Sequence, residues 1–185
     1  MPSRDREMNS LKSLLAFACM CSSLSAFAST EPAKHEFATR VWAESQRHTF
    51  DDTSYRLAAA GLSGGYLVAP GVMVEGSFGT GVSDDTEAGR TLELNRALSL
   101  SLRMTAPPSP SGYRLMSRLG LSVVTLQQLD DVDTKEDFSG GHFSLGVERS
   151  IRPGLAWTLE AVYTALDGDI DSGALRASLG WVLRR

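Results

Sequence analysis

The chain has 185 residues, a formal net charge of −4, 42% hydrophobic residues and 22% charged residues. This composition excludes a disordered chain and a bundle of membrane-spanning helices, and the acidic charge argues against nucleic acid as a partner. Arginine supplies all of the 18 basic residues except Lys12, Lys34 and Lys135. A soluble acidic protein usually carries many surface lysines, so this imbalance requires an explanation.

Residues 1–28 have the pattern of a secretory signal peptide. Basic residues precede a short apolar run over residues 14–21, and an Ala-Phe-Ala cleavage site follows at residues 26–28. The apolar run is too short to span a bilayer, and Met8 is an alternative start. We therefore expect an exported chain whose single mature domain spans residues 29–185.

Both cysteines lie inside this signal segment, at Cys19 and Cys21. The mature chain should then have no disulfide, no thiol nucleophile and no cysteine ligand for a metal. We expect no cofactor and no metal site.

From residue 35 onward, apolar residues recur with a period of two, which is the period of a β-strand. The alternation is clearest over residues 91–104, where leucines occupy one face and Arg96 is the one violation. The same pattern marks eight segments: 35–49, 55–68, 71–82, 91–105, 112–127, 139–151, 154–166 and 173–184.

The connections between these segments alternate between two kinds. One kind is short and contains proline, at residues 68–71, 106–112 and 151–154. The other kind is acidic, at residues 51–54, 83–87, 130–137 and 167–171. Strict alternation of two kinds of turn is typical of an up-and-down meander. The sequence thus predicts an all-β fold of eight antiparallel strands, closed into a barrel with both termini at the proline-turn end.

The polar face of the segments indicates which side is the interior. Besides small residues, it carries five arginines and five glutamates: Arg40, Glu44, Glu75, Glu93, Arg103, Arg114, Arg118, Glu148, Glu160 and Arg176. Small residues mixed with matched charges suit a narrow lumen, because a lone buried charge is costly. We therefore expect these residues to form ion pairs in the lumen of a transmembrane barrel whose apolar face contacts lipid.

Four aromatic residues lie close to the proline-turn end: Tyr66, Tyr113, Trp157 and Trp181. Aromatic residues at one level around a membrane barrel form an interfacial belt. An exported soluble barrel or sandwich stays an alternative. The second segment is the weak point of the pattern, because residues 58–61 have no clear parity.

Residues 64–79, GGYLVAPGVMVEGSFG, resemble a hairpin of the OmpA-like outer-membrane β-barrel domains. Residues 115–124, 145–149 and 179–183 resemble later repeats of that family. The resemblance implies an eight-stranded barrel in the outer membrane of a Gram-negative bacterium, with its N-terminus in the periplasm. In that setting we expect outer-membrane lipid and lipopolysaccharide as partners, and a monomer.

Some eight-stranded outer-membrane barrels are lipid A deacylases with a His-x-Ser pair, a spacing that His142 and Ser144 share. Both residues have the polar parity, however, and would face the lumen rather than a lipid substrate. The Arg and Asn that flank that family's motif are missing, and Gly140 and Gly141 stand there instead. We therefore predict a non-enzymatic protein with a structural or interaction role, and a lipid A-modifying enzyme and a small porin stay alternatives.

The acidic loops have a charge excess that raises the local concentration of divalent cations. Residues 167–173 are similar to the start of a calcium loop, but Ser172 replaces the turn glycine and Ser178 stands where the bidentate glutamate is needed. We expect cation attraction without a dedicated site. Basic residues near the same rim are expected to contact lipopolysaccharide phosphates; they are Arg47, His48, Arg90 and Lys135.

The two kinds of turn predict an orientation. Acidic loops should face the cell exterior and proline turns the periplasm, because loops in outer-membrane barrels follow that asymmetry of length. A cysteine at Asp85 should therefore react with a membrane-impermeant reagent on intact cells, and a cysteine at Ser109 should not. Labelling at Ser109 alone would reverse the orientation.

Overall fold

The computed structural model of the protein describes residues 36–50, 53–129, 134–167 and 170–184, so the expected signal peptide lies outside the described residues. The described residues contain no helix that is long and apolar enough to cross a membrane. They form nine β-strands: β1 (Glu36–Phe50), β2 (Thr53–Ala69), β3 (Val72–Gly81), β4 (Asp84–Glu87), β5 (Arg90–Thr105), β6 (Tyr113–Gln128), β7 (Thr134–Arg152), β8 (Leu155–Leu166) and β9 (Ile170–Arg184).

The sheet closes on itself. Its strand order is β3-β2-β1-β9-β8-β7-β6-β5-β4, and β3 also pairs with β5. The four residues of β4 pair only with the start of β5, beyond the end of β3. Eight strands therefore form the wall, and β4 extends one hairpin above it. The predicted eight-stranded antiparallel barrel is confirmed.

The proline turns and the first and last described strand ends lie at one end of the barrel, which we call the turn end. Pro70-Gly71 joins Ala69 directly to Val72, and Pro153-Gly154 makes the equivalent turn. Proline fixes φ near −65°, and Gly71 and Gly154 have φ of 73° and 80°. This combination is that of a type II turn, which requires a positive φ at its second central residue. The opposite end of the barrel is the loop end.

The wall has one apolar side and one mixed side, as the alternation predicts. Leu62, Leu115 and Leu121 lie on the outer side and are 60%, 68% and 70% exposed. Within the uncertain second segment, Leu57 and Ala59 are buried inside the barrel, which fixes the parity of residues 58–61. An exposed apolar belt around a closed barrel is what contact with lipid requires.

Part of the lumen near the loop end is apolar, which corrects the expectation of a polar interior throughout. The apolar cluster consists of Trp42, Leu57, Ala59, Leu94, Val124, Leu126, Leu166 and Ile170. Leu94 was expected on the lipid side. A β-bulge between Leu94 and Arg96 shifts the register with β6 and reverses the facing of the residues before it.

The largest difference from the predicted segments is at the start of β7. Residues 134–137 were expected to belong to an acidic loop, yet they and Phe138 pair with the end of β6, with Phe138 opposite Val124 and Lys135 opposite Gln127. Polar strand residues beyond the membrane keep their backbone hydrogen bonds in the ladder, so strand pairing extends past the apolar belt.

Candidate functional site: the lumen and the outer rim

A chain of six buried charged residues crosses the lumen in its turn-end half. It consists of Arg40 on β1, Glu75 on β3, Arg103 on β5, Arg118 on β6, Glu148 on β7 and Glu160 on β8. We call this set the lumen network. Its three arginines and three glutamates balance in charge.

Glu75 is the centre of the lumen network. It pairs with Arg40, and its Oε1 lies 2.8 Å from Nη2 of Arg118. Its side chain is 1% exposed. Two guanidinium groups on one carboxylate compensate for its removal from water, which a buried charge requires.

Glu148 and Glu160 supply the other two carboxylates of the network, from β7 and β8. Glu148 pairs with Arg103, and its Oε2 lies 3.9 Å from Nη2 of Arg40. Oε1 of Glu160 lies 3.3 Å from Nη2 of Arg118. Each arginine is thus shared or held by at least one carboxylate, and the six residues form one continuous chain.

All five ion pairs of the lumen network join strands that are not neighbours in the sheet. Arg40 on β1 reaches Glu75 on β3, and Arg118 on β6 reaches Glu160 on β8. Backbone hydrogen bonds join only adjacent strands. The lumen network therefore ties the wall together across the barrel and closes the opening.

A second pair lies above the lumen network, between neighbouring strands. Nε of Arg176 donates to Oε2 of Glu44 at 2.6 Å, and the guanidinium stacks over the ring of Trp42 at 4.4 Å from its centroid. Gln46 donates to Glu44, and its Oε1 lies 2.5 Å from Nε2 of His48. The inward positions of β1 thus form a polar ladder toward the loop end.

The glycines of the wall provide room for these side chains. A methyl group at Gly61 or Gly79 would collide with the ring of Trp42, and one at Gly180 would lie 2.7 Å from Cγ of Arg40. Such close approach is available only where the residue has no Cβ. The small residues of the polar face therefore leave the space that the large luminal side chains fill.

A small cavity of about 40 Å³ remains between the second pair and the apolar cluster. It is lined by serine hydroxyls, His48 and His142, which suits a few water molecules rather than an open passage. The indole nitrogen of Trp42 and Nδ1 of His48 are buried without a hydrogen-bond partner among the described residues.

Two residues predicted for luminal ion pairs form no ion pair with any described residue. Glu93 precedes the bulge in β5, so its side chain lies on the outer side, opposite Gln127 and Asp84 in register. Arg114 faces the turn-end opening, where it is only partly buried. Glu148 lies opposite Arg114 in register but pairs with other arginines. The expectation for Glu93 and Arg114 is therefore corrected.

His142 and Ser144 are both buried and face the lumen. Nδ1 of His142 lies 2.8 Å from Oγ of Ser122, and the hydroxyl of Ser144 donates to Glu160 at 2.9 Å. Neither side chain reaches the lipid side of the wall. The serine hydroxyl supports the lumen network, and no hydrogen bond joins it to the histidine.

The four residues of the expected aromatic belt lie near the turn end. Tyr66, Tyr113 and Trp181 are exposed on the outer side. Trp157 meets Tyr113 edge to face, with ring centroids 6.2 Å apart. Arg149 stacks on Tyr113 at 4.9 Å and also donates to its hydroxyl. Aromatic rings at one level of a barrel are typical of an interfacial girdle.

Several carboxylates of the loop-end rim have protein partners. Asp85 accepts the backbone N–H of Arg56 at 2.6 Å, and Asp137 lies 3.5 Å from Arg96. The described residues contain no group of three side chains that could hold a metal ion. Of the acidic loops, Asp51, Asp52, Asp130, Asp131, Asp133 and Asp169 lie outside the described residues.

His48 was expected to contact lipopolysaccharide phosphates, and this expectation is wrong. Its side chain is 1% exposed and faces the lumen, because it shares the parity of Glu44 and Gln46. The sequence could have predicted this position, because His48 has the same parity as Arg40 and Glu44, which were assigned to the polar face.

Known structures share this architecture, and the likeness shows the fold. Ail, the attachment invasion locus protein of Yersinia pestis, superposes with a TM-score of 0.62 at 14% identity, covering 82% of this chain and 100% of Ail. Neisserial surface protein A gives 0.62 at 16% identity, covering 78% and 96%. The N-terminal barrel of Pseudomonas aeruginosa OprF gives 0.54 at 14% identity, covering 78% and 97%. No protein of curated function matches the chain in sequence.

Fold, faces and girdle define a small β-barrel of the outer-membrane type. The chain belongs to the outer membrane protein beta-barrel domain family, whose model matches residues 13–182. The resemblance seen in the sequence is thus confirmed. The protein resides in the outer membrane of a Gram-negative bacterium.

The lumen network predicts a strong dependence of stability on Glu75. Changing Glu75→Ala leaves Arg40 and Arg118 without their central carboxylate, and breaking a buried ion pair costs about 3–5 kcal/mol. We expect the free energy of unfolding, measured by urea titration in detergent micelles, to fall by that amount. Glu93→Ala is the matched control and should cost less than about 1 kcal/mol, as is usual for a site outside such features. Equal losses would contradict a paired interior.

Proposed function

We propose that the protein is a non-enzymatic, closed barrel that stabilises the outer leaflet of the outer membrane through its rim. The observation that carries this proposal is the filled lumen. The lumen network spans the barrel at one level, and the apolar cluster occupies the lumen nearer the loop end. A barrel without an open interior acts through its surfaces.

The filled lumen also argues against the small porin. Conduction requires a continuous water-filled path with charges exposed along it. Here Arg40, Glu75, Arg118 and Glu160 are each at most 4% exposed, and they engage one another rather than water. Opening such a path would require breaking several buried pairs at once.

The deacylase alternative lacks support from geometry. A hydrolase of lipid must present its nucleophile and base to the substrate, within hydrogen-bond reach of each other. His142 and Ser144 instead face the lumen and engage different partners, Ser122 and Glu160. Their roles as luminal hydrogen-bonding residues account for both.

The acidic loop end supports a role in binding the outer leaflet. Exposed carboxylates on the described part of the rim include Asp84, Glu87, Glu136, Asp167 and Asp171. Clustered carboxylates concentrate divalent cations, and the same cations neutralise lipopolysaccharide phosphates. We infer that bound cations bridge the rim to neighbouring lipid, without turnover of any substrate.

Neutralising one acidic loop should weaken the membrane in a cation-dependent way. Cells carrying Asp130→Asn, Asp131→Asn and Asp133→Asn together should be more sensitive to detergent at low magnesium, and high magnesium should restore wild-type resistance. The matched control changes the same three residues to glutamate, keeps the charge, and should behave as wild type. A neutralised variant that equals wild type at both magnesium levels would refute cation bridging.

An assay on the purified barrel tests the alternative that the protein is an enzyme. We expect no release of acyl chains from lipid A. Release that His142→Ala abolishes would replace the proposed function with a deacylase.

A further inference from the structure

Two arginines face each other on the outer side of the barrel wall. Arg47 on β1 lies directly opposite Arg56 on β2 in register, and both side chains are exposed. They share the outward parity of Val41 and Leu62, which belong to the apolar belt. Like charges directly opposite each other in an antiparallel pair are destabilising. An anion between them would reverse that effect.

The position of this pair relative to the apolar belt follows from the same hairpin. Phe37 lies opposite Tyr66 at the turn end, ten residues along each strand from Arg47 and Arg56. Ten residues rise about 33 Å along a strand, and a strand tilt of ~40° reduces this to about 25 Å along the barrel axis. That height equals the apolar band of an outer-membrane barrel, ~25 Å. The arginine pair thus lies at headgroup level, at the loop-end border of the belt.

The guanidinium groups of this pair are available to an external ligand as far as the described residues are concerned. Neither lies within 4 Å of a carboxylate in the described part of the chain, whereas Arg96 pairs with Asp137. Asp85, next to Arg56, uses its carboxylate on backbone N–H groups. Nη2 of Arg47 donates a hydrogen bond to Oγ of Ser54 at 3.1 Å.

The surface beside Arg47 is open. Gly173 on β9 lies opposite Arg47 in register on its other side, and a Cβ built there would meet no atom within 4 Å. The next strand places Tyr163 opposite Gly173, exposed on the same outer side. The apolar belt below Arg47 and the open surface beside it suit an amphiphile with an anionic headgroup.

We propose that Arg47 and Arg56 form a binding site for a phosphate group of the outer-leaflet glycolipid, lipid A. Two guanidinium groups can each donate paired hydrogen bonds to phosphate oxygens, while the acyl chains lie along the apolar belt below. The inference rests on the proposed function and deepens it. This contact is direct and needs no cation, in contrast to the acidic loops.

The test measures binding without divalent cations. The refolded barrel in neutral detergent micelles containing EDTA is titrated with bisphosphorylated lipid A, with lipid A freed of phosphate, with an anionic phospholipid and with inorganic phosphate. The double variant Arg47→Gln and Arg56→Gln should bind bisphosphorylated lipid A about tenfold more weakly or worse, because it loses charge-assisted hydrogen bonds. The matched control, Arg149→Gln and Arg152→Gln at the turn end, should retain wild-type affinity. Heat-modifiable mobility verifies the fold of each variant.

The site is supported if the wild type binds phosphate-free lipid A more weakly than bisphosphorylated lipid A, and the variant binds the two ligands equally. Equal affinity of wild type and Arg47/Arg56 variant overturns it, as does an equal loss in the turn-end control. Equal binding of inorganic phosphate or of anionic phospholipid would also overturn it, since the site would then recognise any anion. EDTA removes cation bridging, so failure here leaves the acidic-loop proposal standing, and failure of the magnesium experiment leaves this one standing.

Discussion

The need to pair buried charge governs the structure of this barrel. A wall of eight strands encloses a lumen only wide enough for side chains, and charged groups placed there must find partners because water does not reach them. Glu75, held by Arg40 and Arg118, meets that requirement at the centre. The pairs cross the lumen, so the same interactions that satisfy the charges also close the barrel and brace non-adjacent strands.

Much of the fold follows from local rules that a sequence displays. Alternation with a period of two, two kinds of turn and a lysine-poor polar face predicted strand number, closure and facing. What escaped prediction depends on register. The bulge between Leu94 and Arg96 was visible only as one violation of parity, yet it turns Leu94 inward and Glu93 outward. A single inserted residue reverses every side chain beyond it.

The sequence predicted which residues belong to the lumen network better than it predicted which of them pair with each other. Parity selects the inward glutamates and arginines, but not which of them meet, because partners lie on strands separated in the sheet and in the sequence. Arg114 illustrates this: it has the inward parity and lies opposite Glu148, yet it remains at the opening, and Arg103 pairs with that carboxylate.

The remaining charged residues lie at the two ends of the barrel. Aromatic rings and Arg149 border the belt at the turn end, and carboxylates with the Arg47 and Arg56 pair border it at the loop end.

Paired charge closes the lumen, and a conductance measurement tests that closure directly. Purified barrel inserted into planar lipid bilayers should give no steady current under an applied voltage, because the lumen network and the apolar cluster leave no continuous water path. A stable ohmic conductance through the wild-type barrel would contradict the account.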